Sequence, residues 1–288
     1  MRNRRVLVLG VTGMLGNAVF RYLSENTNMD VFGTLRNYSD LKYFSENRHK
    51  NLFCQVDLLN QDDIIRTVSK IMPDVIINCV GLIKQLSHSN NPLSVLPVNS
   101  LLPHRLANIA GMMDMRLIHI STDCVFSGAK GNYTESEQCD AIDLYGISKK
   151  IGEVVDYPHA ITLRTSIVGH ELNSNYALIN WFLSQEQRIK GFRRAIFSGL
   201  PTVELARVIH EYVIPNIELH GLYHVSSEPI DKYTLLSLVA EAYEKNIEIT
   251  LDEDFVIDRS LNSSRFNLAT GYIPPTWSKL INQMKNFG

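Results

Sequence analysis

The chain has 288 residues, 45% of them hydrophobic and 20% charged, an ordinary globular composition that excludes disorder and leaves enough apolar mass for a sizeable core. Its 28 Lys and Arg nearly balance 30 Asp and Glu, a formal charge of −2, which excludes a global attraction to nucleic acid or to an anionic membrane surface. The cysteines are Cys54, Cys79, Cys124 and Cys139, with no CxxC pair. This reads as reduced, buried thiols rather than a disulfide framework or zinc site, and implies a cytoplasmic location.

From the N-terminus, MRNRRVLVLGVTGMLG sets basic residues before an apolar run, the outline of a secretory leader. Gly10, Thr12 and Gly13 interrupt that run and no small-residue cleavage site follows, so the segment reads as a buried strand. MLGNAVFRYLSEN is then a helix, with Leu15, Val19 and Leu23 on one stripe. DVFGTLR and NLFCQVDL read as the second and third strands, and NQDDIIRTVSKIM as a helix capped by Asn60 with acids in its first turn. PDVIINCVG is a near-continuous apolar run, as in a parallel strand buried on both faces. VNSLLPHRLANIAGMM reads as a helix ending near Gly111, RLIHIST as a fifth strand, DLYGISKKIGEVVDY as a helix and HAITLRTSI as a sixth strand.

Alternation sustained this long predicts an α/β fold, a doubly wound Rossmann-type parallel sheet, over residues 1–169. Beyond it NYALINWFLSQEQ, VELARVIHEYVIP, KYTLLSLVAEAYEKN and PPTWSKLINQMKNFG read as helices, GFRRAIFSGLPT as irregular and GLYHVS as a strand. Residues 170–288 are expected to form a smaller α/β substrate-binding region over the C-terminal edge of the sheet, with 221–226 returning to it. Ligands of such sheets bind in that crevice. No stretch approaches the length of a membrane span.

LGVTGMLG places Gly10, Gly13 and Gly16 directly after the first strand, where backbone N–H groups at a helix N-terminus can receive a pyrophosphate. Thr12, Met14 and Leu15 belong to the same turn. A tight strand–helix turn explains glycines by itself, and their place in the first α/β unit is what points to a dinucleotide. The second strand ends TLRN without an acid, and Arg36 there suits a 2′-phosphate, which favours NADPH over NADH. Asp57 and Leu58 follow the third strand, where Asp57 either meets adenine or caps a turn. Cys79, Val80 and Gly81 end the fourth strand, beside the middle of such a cofactor.

YGISKK sets Tyr145 and Lys149 four residues apart on one helical face. A tyrosine ionises near pH ~10, and a neighbouring ammonium is expected to lower that value toward catalytic use. The preceding strand ends in Ser121 and Thr122, inside STDCVFSG. GVTGMLG, STDCVFSG, YTESE, YGISKKIGE and LRTSIVG together resemble an extended short-chain dehydrogenase/reductase, in particular the dTDP-4-dehydrorhamnose reductase branch. The likeness is strongest over residues 5–170. It implies a catalytic set of Thr122, Tyr145 and Lys149: Tyr145 gives a proton to the C4 carbonyl oxygen, Lys149 holds the cofactor ribose, and Thr122 hydrogen-bonds the reacting oxygen. Ser121 stays open as the alternative hydroxyl, because strand alternation points the two to opposite faces. Cys124 stands where that branch commonly has an aromatic residue, which bears on substrate preference. No adjacent base activates it as a nucleophile.

Contacts to a nucleotide-sugar substrate are expected from Lys84 and Gln85 after the fourth strand, from Ser121, Asp123 and Cys124, and from Arg164 and Thr165 after the sixth. Asn180 and Trp181, with Arg193 and Arg194, would supply an apolar slot and positive charge for a nucleotide. Trp181 has core packing as its alternative role. No histidine shows metal-ligand spacing, so no metal is expected. The expected partners are this substrate and a second copy of the chain, not nucleic acid or membrane. Two other readings share the motifs: a nucleotide-sugar 4-epimerase retaining NAD, and a catalytically idle regulatory subunit resembling the methionine adenosyltransferase β-subunit.

Overall fold

A computed structural model of the chain describes residues 2–84 and 90–288. Seven parallel strands form the central sheet: β1 (Arg5–Leu9), β2 (Asp30–Thr34), β3 (Leu52–Phe53), β4 (Val75–Asn78), β5 (Arg116–Thr122), β6 (Ala160–Thr165) and β7 (Gly221–His224). Their order is β7-β6-β5-β4-β1-β2-β3. The order reverses between β4 and β1, so the connections leave those two strand ends in opposite directions and open a crevice there.

β1 and β4 are apolar because both faces are covered. Leu7, Leu9 and Ile76 pack with Ile64, Val68, Leu106 and Ala110 on one side. Val6, Val8 and Ile77 pack with Val19, Phe20 and Leu23 on the other. The first side carries helices α2 (Gln61–Ile71) and α4 (Leu102–Met112), the second α1 (Met14–Asn26). Asn60 caps α2 by accepting from the Asp62 N–H at 3.0 Å, as its position predicts.

Three elements differ from their sequence patterns. NLFCQVDL pairs only at Leu52 and Phe53, because Gln55 turns to φ 58° and ends the ladder. The helix expected from Val98 begins earlier, with α3 (Pro92–Leu96), and runs through a π turn at Pro97–Leu101 into α4. Pro103 has no N–H to offer the Asn99 carbonyl four residues back, which widens the helix there. GFRRAIFSGLPT is ordered as short strands at Ile189–Phe192, Ala195–Phe197 and Leu200–Pro201. Ala195–Phe197 is flanked by Ile230–Asp231 and Ile257–Asp258.

The remaining helices are α5 (Leu144–Ile151), α6 (Leu178–Ser184), α7 (Thr202–Val208), α8 (Lys232–Ala242), α9 (Ser264–Thr270) and α10 (Trp277–Phe287). Apolar residues of α7, α8 and α10 share one core with those of β1 and α1. The C-terminal residues therefore pack into the main body as well as over its edge. Among the described residues, no helix is long and apolar enough to cross a membrane.

The start of α1 lies against the turn before it. A Cβ built on Gly16 would stand 2.1 Å from the Gly10 carbonyl oxygen, and Gly10 itself has φ +80°. Gly16→Ala is expected to cost about 1–3 kcal/mol of folding stability, measured by urea denaturation.

Candidate active site

The glycine turn, the end of β4, the end of β5 and helix α5 meet at the C-terminal edge of the sheet. Gly10 donates its N–H to Thr34 Oγ1 at 3.2 Å, joining the turn to the end of β2. Gly13 has a different environment from Gly10 and Gly16: a Cβ there would approach only the Gly10 carbonyl oxygen, at 3.4 Å. Packing does not demand glycine at 13, and the exposed N-terminus of α1 beside it has no side-chain cap. Those unsatisfied N–H groups suit a phosphate. Thr12 and Met14 are half-buried beside it, whereas Leu15 points into the core.

Arg36 is exposed just past β2 and forms no hydrogen bond or ion pair with a described residue. Asp57 uses one carboxylate oxygen to accept from the Leu59 N–H at 2.9 Å, which is the turn-capping role, with Leu58 half-buried next to it. Val80 packs against the turn, close enough that a Cβ on Gly10 would lie 2.8 Å from its methyl group. Asn78 fixes this segment by accepting from the Val80 N–H at 3.1 Å. Cys79 is half-exposed, and Gly81 opens to solvent.

Sequence reasoning missed Asn99. The widened helix aims its amide at Leu82, accepting from that N–H at 2.8 Å and donating to that carbonyl at 3.1 Å. Its amide also donates to Ser148 Oγ of α5 at 3.2 Å, so one side chain sets the spacing between α5 and the loop after β4. Two prolines inside a helical pattern were the available signal.

Strand alternation separates Ser121 from Thr122. Ser121 donates to Glu153 Oε1 at 2.9 Å inside the protein, whereas Thr122 lies on the side of the Tyr145 phenol and acts to lower its pKa. Thr122 also caps the turn after β5, accepting from the Cys124 N–H at 3.1 Å. Helix α5 is capped by Asp143, which accepts from the Gly146 N–H at 2.8 Å. A Cβ on Gly146 would sit 2.2 Å from the Cys124 carbonyl oxygen, so glycine seats α5 directly on the Asp123–Val125 turn.

Lys149 is buried and donates to the Ile120 carbonyl at 2.7 Å. Burial lowers its pKa to about 8, against the opposing charges of Glu153 and Cys79. Burial also raises the Tyr145 phenol above its usual value, with Cys124 and Asp123 adding to the effect and Thr122 opposing it. Loss of water is the largest influence on this phenol. Tyr145 keeps its proton and faces the site as an acid. Cys124 lies beside it, its thiol pushed up to about 12 by burial and then by Asp123, and so is no nucleophile.

Several expected substrate contacts are placed elsewhere. Arg164 is enclosed, donating to Glu153 at 2.6 and 2.7 Å and facing His224 at 3.2 Å. Thr165 is buried and donates to the Ser166 carbonyl. Ser121 is engaged as described, so these three face inward. Asn180 is occupied with Glu171, accepting from its N–H at 3.0 Å. Trp181 is 37% exposed rather than core, and Arg193 and Arg194 are exposed, Arg193 bonding Thr234. Gln85 lies outside the described residues.

Lys84 does reach the reacting end. It pairs with Asp143 at 2.7 Å and its ammonium lies 5.5 Å from the centre of the Tyr145 ring. Asp123 is buried and accepts from Thr122 at 3.1 Å. Sequence reasoning missed two cations there, Lys232 and Arg259, whose charges act on Asp123 and on each other. Among the described residues, no group of three or more His, Cys, Asp or Glu could hold a metal ion.

The chain matches the family described as RmlD substrate binding domain over residues 4–255. A dTDP-4-dehydrorhamnose reductase of Aggregatibacter actinomycetemcomitans is 24% identical, across 98% of this chain and 99% of that protein. Methionine adenosyltransferase 2 subunit beta of Danio rerio is 28% identical over 83% of this chain and 74% of its own. Among solved structures, a dTDP-4-dehydrorhamnose reductase from Bacillus anthracis in complex with NADP superposes with a TM-score of 0.80, at 18% identity and full coverage of both chains.

Replacing Arg164 by Ala is expected to destabilise the fold by about 3–5 kcal/mol, because it strands the buried Glu153 carboxylate. A guanidinium chloride titration measures it. A substrate contact would instead show an unchanged unfolding midpoint and a raised KM.

Proposed function

Because the chain belongs to the RmlD substrate binding domain family, we propose that it is an NADPH-dependent reductase of a nucleotide-linked 4-keto-6-deoxy sugar, serving the biosynthesis of cell-surface polysaccharide. The observation that carries the reading is that the Tyr145 phenol, Thr122 at the end of β5 and the buried Lys149, held on the Ile120 carbonyl, come together at the sheet edge. Reduction of a ketone needs a proton at the oxygen as the carbon accepts hydride. Tyr145, kept protonated by burial, is the donor, and Thr122 places the carbonyl oxygen within its reach. A protonated Lys149 favours negative charge at the phenol as the proton leaves, and its ammonium suits the cofactor ribose hydroxyls.

The nicotinamide cofactor supplies the hydride when bound. Gly13 and the uncapped start of α1 suit its pyrophosphate, and Val80 and Gly81 its middle. Arg36 suits a 2′-phosphate, and the NADP complex of the similar Bacillus anthracis reductase supports that choice. Asp57 is assigned to the adenine end. Lys84 and Asp123 line the side from which a sugar would enter. A homodimer remains part of the proposal, as does a cytoplasmic location.

The similarity to a methionine adenosyltransferase subunit over 83% of this chain favours a second reading, a regulatory subunit that keeps the pair without using it. NADPH consumption with a panel of 4-keto-6-deoxy nucleotide sugars separates the two. Oxidation of NADPH supports the reductase, whereas none, with stable co-purification of an adenosyltransferase, supports the subunit.

Tyr145→Phe is expected to lower turnover by about 10²–10⁴-fold while leaving NADPH affinity intact. Arg36→Ala should weaken NADPH and leave NADH binding unchanged, as read by fluorescence titration of each. Lys149 is charged below about pH 8 and neutral above it, so kcat/KM should fall as pH rises through about 8. A flat profile to pH ~10 would contradict that role for Lys149.

A further inference from the structure

Thr122 has one proton to give, and a carboxylate already takes it. Its hydroxyl donates to Asp123 Oδ1 at 3.1 Å and accepts from the Cys124 N–H at 3.1 Å. A hydroxyl has a single O–H and two lone pairs, so one lone pair is left over. A ketone oxygen can only accept, and it receives nothing from Thr122 while that proton is directed at Asp123. Asp123 is 8% exposed, and its charge acts on the Tyr145 phenol as well.

Protonation of Asp123 reverses the arrangement. A carboxylic acid donates its own O–H, which the remaining lone pair of Thr122 can accept, and the Thr122 proton is then released to the ketone. Donors would run from Asp123 through Thr122 to the carbonyl oxygen, where the Tyr145 phenol also arrives. An ionised Asp123 is among the groups that hold the proton on Tyr145, with Cys124 and Asp143, so a neutral Asp123 eases that transfer too. The surroundings of Asp123 pull both ways. Burial is the largest influence and raises its pKa above the usual carboxylate value, while Cys124, Arg259, Thr122 and Ser166 oppose this. Lys232 of α8 is a further cation that interacts with Asp123, and Lys84 acts on the neighbouring Cys124.

We propose that Asp123 is a positioning residue that competes with the ketone for the single Thr122 proton, so that reduction is fast with Asp123 neutral and slow with Asp123 ionised. The proton added to the ketone oxygen comes from Tyr145 and the hydride from the nicotinamide cofactor. Asp123 and Thr122 only redirect hydrogen bonds, and neither loses a proton in the reaction. The proposal rests on the reductase reading and gives Asp123 a role that needs no direct contact with the sugar.

The first test is the pH profile of kcat/KM with dTDP-4-dehydrorhamnose and NADPH, for the wild type, Asp123→Asn and Thr122→Val. Asp123 is neutral below its pKa, so the wild-type value should fall as pH rises through it. The expected fall is about 10- to 100-fold, what one hydrogen bond to an oxygen gaining charge contributes. Asp123→Asn, whose amide donates to Thr122 as the neutral acid does, should lose this step and keep the separate one expected of Lys149 at about pH 8. Thr122→Val should lose it too, because Asp123 acts only through that hydroxyl. A step that persists in Asp123→Asn belongs to another group, and one that persists in Thr122→Val means that Asp123 acts directly; either overturns the proposal. The second test needs no turnover: the carbon-13 resonance of the Asp123 carboxyl is followed against pH. Thr122→Val should titrate at higher pH than the wild type, since the ionised carboxylate loses a hydrogen bond, and Thr122→Ser should titrate as the wild type does. An unchanged titration in folded Thr122→Val overturns the competition whether or not any sugar is reduced. The expected titrations, with no NADPH consumed on any sugar of the panel, would instead overturn the reductase reading.

Discussion

Glu153 and Arg164 meet in the interior, each side chain about 1% exposed, where β5, β6, β7 and the segment after α5 converge. Burial alone would raise the Glu153 carboxyl, but the guanidinium outweighs it and holds the pKa below the usual range. Ser121 of β5, Lys150 of α5 and His224 of β7 close around the pair. A pair taken this far out of water is sustained only when its remaining donors and acceptors are satisfied. Because these partners come from three strands and the end of a helix, satisfying them fixes α5 on the sheet. Tyr145 and Lys149 inherit their positions from that attachment, and Thr122 faces them because Ser121 faces Glu153.

Exclusion of water also sets the protonation of the reacting groups. The same burial that raises Tyr145 and the Cys124 thiol lowers Lys149, since each is pushed toward its neutral form. A phenol that stays protonated is suited to donating a proton rather than taking one. Cys124 becomes an inert wall of the site. Burial lowers the Lys232 ammonium in the same direction as Lys149.

The glycine turn, the end of β5 and the Tyr145/Lys149 pair were legible because each uses a short local code: three glycines at a strand–helix turn, hydroxyls ending an apolar run, and a four-residue spacing on a helix. Asn99 was not, since its role depends on a π turn that Pro103 creates by withholding an N–H from the Asn99 carbonyl. Arg164 was misplaced for a related reason. An arginine ending a strand looks the same in sequence whether it meets a ligand or a carboxylate such as Glu153, brought there by a separate element. Lys232 and Arg259 lie 27 residues apart, and 87 and 114 residues from Tyr145, and the pairing of both flanking strands with Ile196 joins them.

By itself, the sequence determined the alternation of strands and helices, the glycine turn after β1, the absence of an acid after β2 and the facing of Tyr145 with Lys149. These are local properties, set by side-chain period and by backbone conformations available to a few adjacent residues. Tertiary structure decided which of Ser121 and Thr122 faces the phenol, which way the Tyr145 and Lys149 pKa values move, and which cations surround the reacting end. Those outcomes depend on desolvation and on charges brought together from distant segments, and both come into being only when the chain is packed.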